Sequence, residues 1–184
     1  MDIMKAIAEK KKGQNIGEYI IYMYQMEDLL RAFQFNLDEI RQYVISHYPI
    51  SEAEKAETLE WFEELANALE NEGKKEKGRL NSTQAYVNEL ANIHWELLKS
   101  DKNYFESYQK AKPHIIQLVL AAGDEAPANE VQVCINAIYG LLLAKLKGRE
   151  IPNDINEATE AFGNVLSYLN WVYFDKLRNQ TSQN

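Results

Sequence analysis

Apolar residues recur at three- and four-residue spacing along almost the whole chain, and no run of alternating β-branched residues interrupts them. That is the signature of amphipathic helices rather than strands. The pattern predicts an all-α, single-domain bundle of about six main helices spanning residues 1–184. A short helix over 2–11 ends at Gly13, and the first long helix begins near Asn15 and runs to about His47, where Pro49 stops it. This makes it the longest element. Ser51 caps a second helix, with Glu52 and Glu54 in the first turn, where the helix dipole favours acids. Its buried stripe is Ala56, Leu59, Phe62, Ala66 and Leu69. After a turn bracketed by Gly73 and Gly78, a third helix over about 82–99 points Val87, Leu90, Ile93, His94 and Leu97 inward. Asp101 caps a fourth over about 102–122, in which Pro113 lacks the N–H for its backbone hydrogen bond, so a kink or a split is expected there. The fifth, about 129–147, is the most uniformly apolar and belongs near the centre, with Gly140 admitting the close approach of a neighbour. Asp154 and Glu157 form a capping-box variant before a last helix over about 155–178, and 179–184 read as a frayed tail.

The charge distribution narrows the function classes. The net charge is -8, and residues 51–72 carry eight glutamates against one lysine. Directly after them the short run GKKEKGR (73–79) forms a basic turn. Nucleic-acid affinity rests on neutralising many phosphates at once, so an acidic chain with one basic turn is not expected to bind nucleic acid. No apolar run approaches the roughly 18 to 20 residues that span a bilayer, so no membrane association is expected either. Lys10–Lys12 follow an apolar turn instead of preceding a long apolar stretch, which is not a secretory signal. A single cysteine, Cys134, excludes an intramolecular disulfide, and the expected compartment is cytoplasmic.

Candidate chemistry centres on the stretch GEYIIYMYQMEDLLRAF (17–33), which carries apolar residues on nearly every side. At 100° per residue, Tyr19, Met23, Met26, Leu30, Phe33, Leu37 and Val44 form a core line. Glu27, Arg31, Gln34 and Asp38 lie on one flank, and Glu18 and Gln25 lie on the other with Tyr22 and Leu29. Two readings follow. Glu27 and Arg31, four apart, can pair on the surface or at a helix seam, which contributes about 0.3 to 0.5 kcal/mol when exposed. Alternatively Arg31 joins Glu27 to a carboxylate or carbonyl elsewhere, and Glu18, Tyr22 and Gln25 line a polar pocket for a small molecule.

The run KKGQNIGEYIIYMYQMEDLLRAF (11–33) resembles the N-terminal signature of a Bacteroidetes family known as domain of unknown function 4924. The resemblance implies a bacterial origin and an all-helical fold, and it transfers no catalytic residue. No histidine among His47, His94 and His114 has a glutamate three residues before it, as a ferritin-like di-metal site requires, and there is no HExxH motif. No metal and no cofactor is expected, and His94 reads as a core histidine with one hydrogen-bonded nitrogen. The spacing of Glu57, Glu60, Glu63 and Glu64 resembles half of the paired-glutamate motif of helical magnesium-dependent nucleotide pyrophosphohydrolases. No facing acidic pair accompanies it, so the row reads as a solvated helix face. Cys134 reads as a buried, inert thiol. The expectation is a non-catalytic interaction or scaffold protein, with a homodimer through an aromatic-rich face (Tyr104, Phe105, Tyr108 or Trp171, Tyr173, Phe174) as one form of it. The alternative is a small-molecule-binding or hydrolytic protein using Glu18, Tyr22, Gln25, Glu27 and Arg31.

Overall fold

The computed structural model describes residues 4–182, and among them every regular element is helical. The all-α expectation holds, with eight α-helices, one more than the six main helices and the short first one expected: α1 (Met4–Gln14), α2 (Ile16–Ala32), α3 (Leu37–Tyr43), α4 (Glu52–Asn71), α5 (Asn81–Ser100), α6 (Lys102–Ala122), α7 (Glu130–Leu146) and α8 (Asn153–Thr181). Short 3₁₀ turns occupy Ile45–His47 and Gly123–Glu125.

Helices α1 and α2 end on residues other than glycine or proline, and the second of these ends adds a helix. Gly13 lies inside α1, and the break falls at Asn15, whose side chain accepts from the Glu18 N–H at 3.0 Å and caps α2. The long helix expected to reach His47 stops at Ala32 instead. Gln34 (φ 53°) and Phe35 (φ 62°) turn left-handed. The Phe35 N–H donates to the Leu30 carbonyl at 2.8 Å and the Gln34 N–H to that of Arg31 at 2.9 Å. This is a Schellman termination with glutamine where glycine is usual. Asn36 then caps α3 by accepting from the Glu39 N–H at 3.2 Å. The longest element is consequently α8, with 29 residues.

Further corrections are local. Helix α6 runs unbroken across Pro113, so no split occurs there. Helix α8 begins at Asn153 after Pro152 without a side-chain cap, so Asp154 lies inside the first turn and is no capping-box residue. It continues to Thr181, which absorbs most of the expected tail; residues 2 and 3 of the expected first helix and residues 183 and 184 lie outside the described part. A Cβ built on Gly140 would meet nothing within 4 Å, so no neighbour approaches there. The C-terminal half of α7 is only half-buried and Leu146 is exposed, which corrects its expected place at the centre. The stripe of α4 is Thr58, Trp61, Phe62, Leu65 and Leu69, with Ala56 exposed.

The chain forms two compact units, residues 1–86 and 87–184, and the division falls within α5. In the first, Met23, Met26 and Leu30 of α2 pack with Met4 and Ala8 of α1 and with Trp61, Phe62, Leu65 and Leu69 of α4, closed by Ile40, Ile45 and Leu80. Ser51 caps α4 in a full capping box: its hydroxyl accepts from the Glu54 N–H, and the Glu54 carboxylate accepts from the Ser51 N–H at 2.8 Å. In the second, α8 packs against α6 and α7 and buries Phe162, Val165 and Leu169. Asp101 caps α6 by accepting from the Tyr104 N–H at 2.9 Å, and that donation, followed by one from the Tyr168 hydroxyl, holds its carboxyl below the usual range.

Candidate functional site

The five polar residues singled out on the first helix have different fates. Glu18 is exposed and pairs with Lys11 at 2.9 Å. Tyr22 and Gln25 are half-buried, Tyr22 against the first core, where burial raises its hydroxyl pKa. Glu27 is fully buried, at 0% exposure, and Arg31 does not pair with it. The partner of Arg31 is Asp28, at 2.9 Å, three residues back. Glu18 and Arg31 line separate surface grooves, the first with Ile7, Lys10 and Gln14, the second with Gln34, Phe35 and Lys75.

Glu27 is instead held by the segment after α4. Its carboxylate accepts from the Leu80 N–H at 3.0 Å and from Arg79 at 3.2 Å. Arg79 also grips Asp28 with both terminal nitrogens, at 2.8 and 3.1 Å, and lies over the Tyr24 ring at 4.1 Å from its centroid. The planar guanidinium fork matches a carboxylate edge and stacks on an aromatic face, which a lysine cannot reproduce. Arg31 completes the clasp from the other side. Its nitrogens donate to the carbonyls of Lys75 (3.1 Å), Lys74 (2.8 Å) and Gly78 (2.7 Å), the last a glycine with φ 96°. Burial raises the Glu27 carboxyl pKa, while Leu80 and Arg79 pull it back. Two carboxylates and two guanidiniums thus close a balanced network whose donors are spent on the protein's own carbonyls and acids. It ties a loop to α2.

The second unit holds another enclosed cluster, which the sequence pattern did not reveal. His94, buried on α5, is bonded at both ring nitrogens: Nδ1 to the Tyr104 hydroxyl at 2.6 Å and Nε2 to Glu130 at 2.9 Å. The Tyr108 hydroxyl donates to the other Glu130 oxygen at 2.9 Å. With its proton on Nε2, His94 donates to Glu130 and accepts from Tyr104, so both of its ring nitrogens are satisfied. The hydrogen bond from His94 holds the Glu130 carboxyl below its usual range against the opposing effect of burial. A carboxylate–imidazole–hydroxyl order is that of a nucleophile relay. Tyr104, however, is completely buried and its hydroxyl pKa is raised by burial, so the hydroxyl meets no substrate. Cys134 is also buried, and burial, followed by the Glu130 charge, pushes its thiol up to about 12.

Three residues of these networks left a signal in the sequence, although Tyr104 and Tyr108 were expected with Phe105 on an interface face and are buried instead. Arg79 is the one arginine in a turn of lysines, a choice with a geometric reason. Tyr104 and Tyr108 stand four apart on one helix face. Glu130 left none. Among the described residues no group of three or more histidines, cysteines or acids is placed to hold a metal ion, and no helix is long and apolar enough to cross a membrane. The profile of the family described as "Domain of unknown function (DUF4924)" matches residues 4–180, so the chain belongs to that family. No curated protein and no solved structure matches it.

Proposed function

We propose that this member of the family is a non-catalytic, cytoplasmic interaction protein that self-associates as a homodimer through aromatic side chains of its second unit. The observation that carries the reading is the exposure of Trp171, at 60%, with Trp95 at 46% and Phe105 at 43% on the same unit. Tryptophan is buried on average, and exposed aromatic side chains are enriched at protein interfaces, where they supply most of the binding energy. Trp171 stands on a held base: its ring is 6.4 Å from that of Tyr168, and the Tyr168 hydroxyl donates to Asp101 at 2.7 Å. A second copy is the occupant chosen because α8, with 29 residues, is about 44 Å long by its rise per residue. That length accommodates a two-fold contact burying the roughly 800 Å² per partner of a standard interface. The two buried polar clusters support the same view, since each spends its hydrogen bonds internally.

The test is the mass in solution by light scattering coupled to size exclusion. A dimer gives twice the chain mass of 21.3 kDa, and Trp171→Lys returns it to one chain mass with an unchanged helical spectrum. A wild-type protein of one chain mass at every concentration refutes self-association, as does a Trp171→Lys variant that remains dimeric.

A further inference from the structure

In the second unit, α6, α7 and the start of α8 enclose a groove of about 360 Å³, within the size range of small-molecule sites. Its floor is Phe162, buried and met edge-on by the His114 ring at 6.3 Å, and Leu118, Ile155 and Ala158 form apolar walls. Four polar side chains line it: Thr159, whose hydroxyl donates to the Ile155 carbonyl at 2.7 Å, and His114, Gln117 and Asp154. Among the described residues none gives His114, Gln117 or Asp154 a hydrogen bond or an ion pair, in contrast to Thr159 and to the closed networks around Glu27 and His94. Asp154 also brings the one formal charge among the described residues that line the groove.

We propose that this groove binds a small organic cation with an apolar, ring-sized body. The body lies on Phe162 between Ile155 and Leu118, where burial of its surface supplies the affinity. The ammonium faces the Asp154 carboxylate, with the Gln117 carbonyl and a His114 ring nitrogen as further acceptors. The positive end of the α8 dipole favours anions at the same place, and the carboxylate of Asp154 opposes them. The sign of the preferred ligand is therefore the decisive observation. This site does not depend on self-association, so either proposal can fail alone.

The experiment titrates the full chain, followed by amide chemical shifts, with three probes of one shape: phenethylamine, 2-phenylethanol and 3-phenylpropionate. Phenethylamine is expected to saturate shifts along 114–118 and 154–162. It should bind about fivefold tighter than the alcohol, the upper end for an exposed ion pair, with the propionate weakest. In Asp154→Asn, a change at an exposed position, the amine falls to the affinity of the alcohol. Ala158→Phe fills the groove and removes binding of all three. The proposal is overturned if no probe saturates, if amine and alcohol bind alike, if the propionate binds tightest, or if Asp154→Asn keeps the preference for the amine.

Discussion

Replacing Arg79 by methionine isolates the energetics of the loop clasp. The substitution keeps an unbranched apolar stem near Tyr24 and removes the guanidinium that reaches Glu27 at 3.2 Å and Asp28 at 2.8 and 3.1 Å. Asp28 retains Arg31 at 2.9 Å, so its charge stays compensated. Glu27, with no exposed surface, keeps only the Leu80 N–H. Removing one partner of a buried ion pair costs about 3 to 5 kcal/mol, because the other charge is left enclosed. The Arg79 side chain is itself 23% exposed, so water can follow into the vacated space, and the expected loss falls to about 2 to 3 kcal/mol. Urea unfolding followed by circular dichroism measures it as a lower midpoint at constant slope. The pH dependence gives an independent check. Burial already raises the folded-state Glu27 pKa, and loss of Arg79 raises it further, so the folded protein holds this proton more readily than the unfolded chain. The variant's deficit is therefore small near the usual carboxylate range and grows as pH rises through the folded-state value. Glu27→Gln in the same background removes the enclosed charge and recovers part of the loss. A deficit below about 0.5 kcal/mol, typical of an exposed pair, or one that does not change with pH, refutes the buried-charge account.

Two smaller predictions concern other parts of the chain. Ser51→Ala removes the hydroxyl that accepts from the Glu54 N–H and should cost about 1 kcal/mol in the same urea assay, with Ser51→Asp close to wild type. Cys134, its thiol pushed up to about 12 by burial, should react with a thiol reagent at neutral pH only at the rate of unfolding, and at once in denaturant. Rapid labelling of the native protein would contradict its enclosure.

The all-helical class and several helix starts were legible because they depend on local chemistry. Ser51 and Asp101 cap by side chains that sequence alone identifies, and the glutamates at 57, 60, 63 and 64 are exposed on α4 as a charge run implies. What escaped was either unmarked or non-local. The end of α2 has a glutamine at the left-handed position, so no glycine announced it. A helix that reads as continuous from Asn15 to His47 therefore proved to be two. Of the polar residues of α2, Glu27 is enclosed and Glu18 is exposed. The partner of Glu27, however, lies 52 positions away on a loop, and residues so distant in sequence are brought together only by packing. Helix periodicity pointed to the nearer Arg31 for the same reason that it cannot see Arg79. The alanine-lined start of α4 shows the complementary error: Ala56 fits the stripe by spacing, while the core is filled by Thr58 and Trp61 on the adjacent line.

The run KKEKGR after α4 has the composition of a protease-sensitive turn, with cleavable bonds after Lys74, Lys75, Lys77 and Arg79. Proteolysis needs an extended segment that can leave the surface and enter another active site, and here the backbone is moored. The carbonyls of Lys74, Lys75 and Gly78 are engaged by Arg31, and that of Arg79 by the Lys74 ammonium at 2.6 Å. Cleavage there must wait for the clasp to open, so the rate at which trypsin cuts this turn is expected to report on an ion network 43 to 52 positions upstream in the chain.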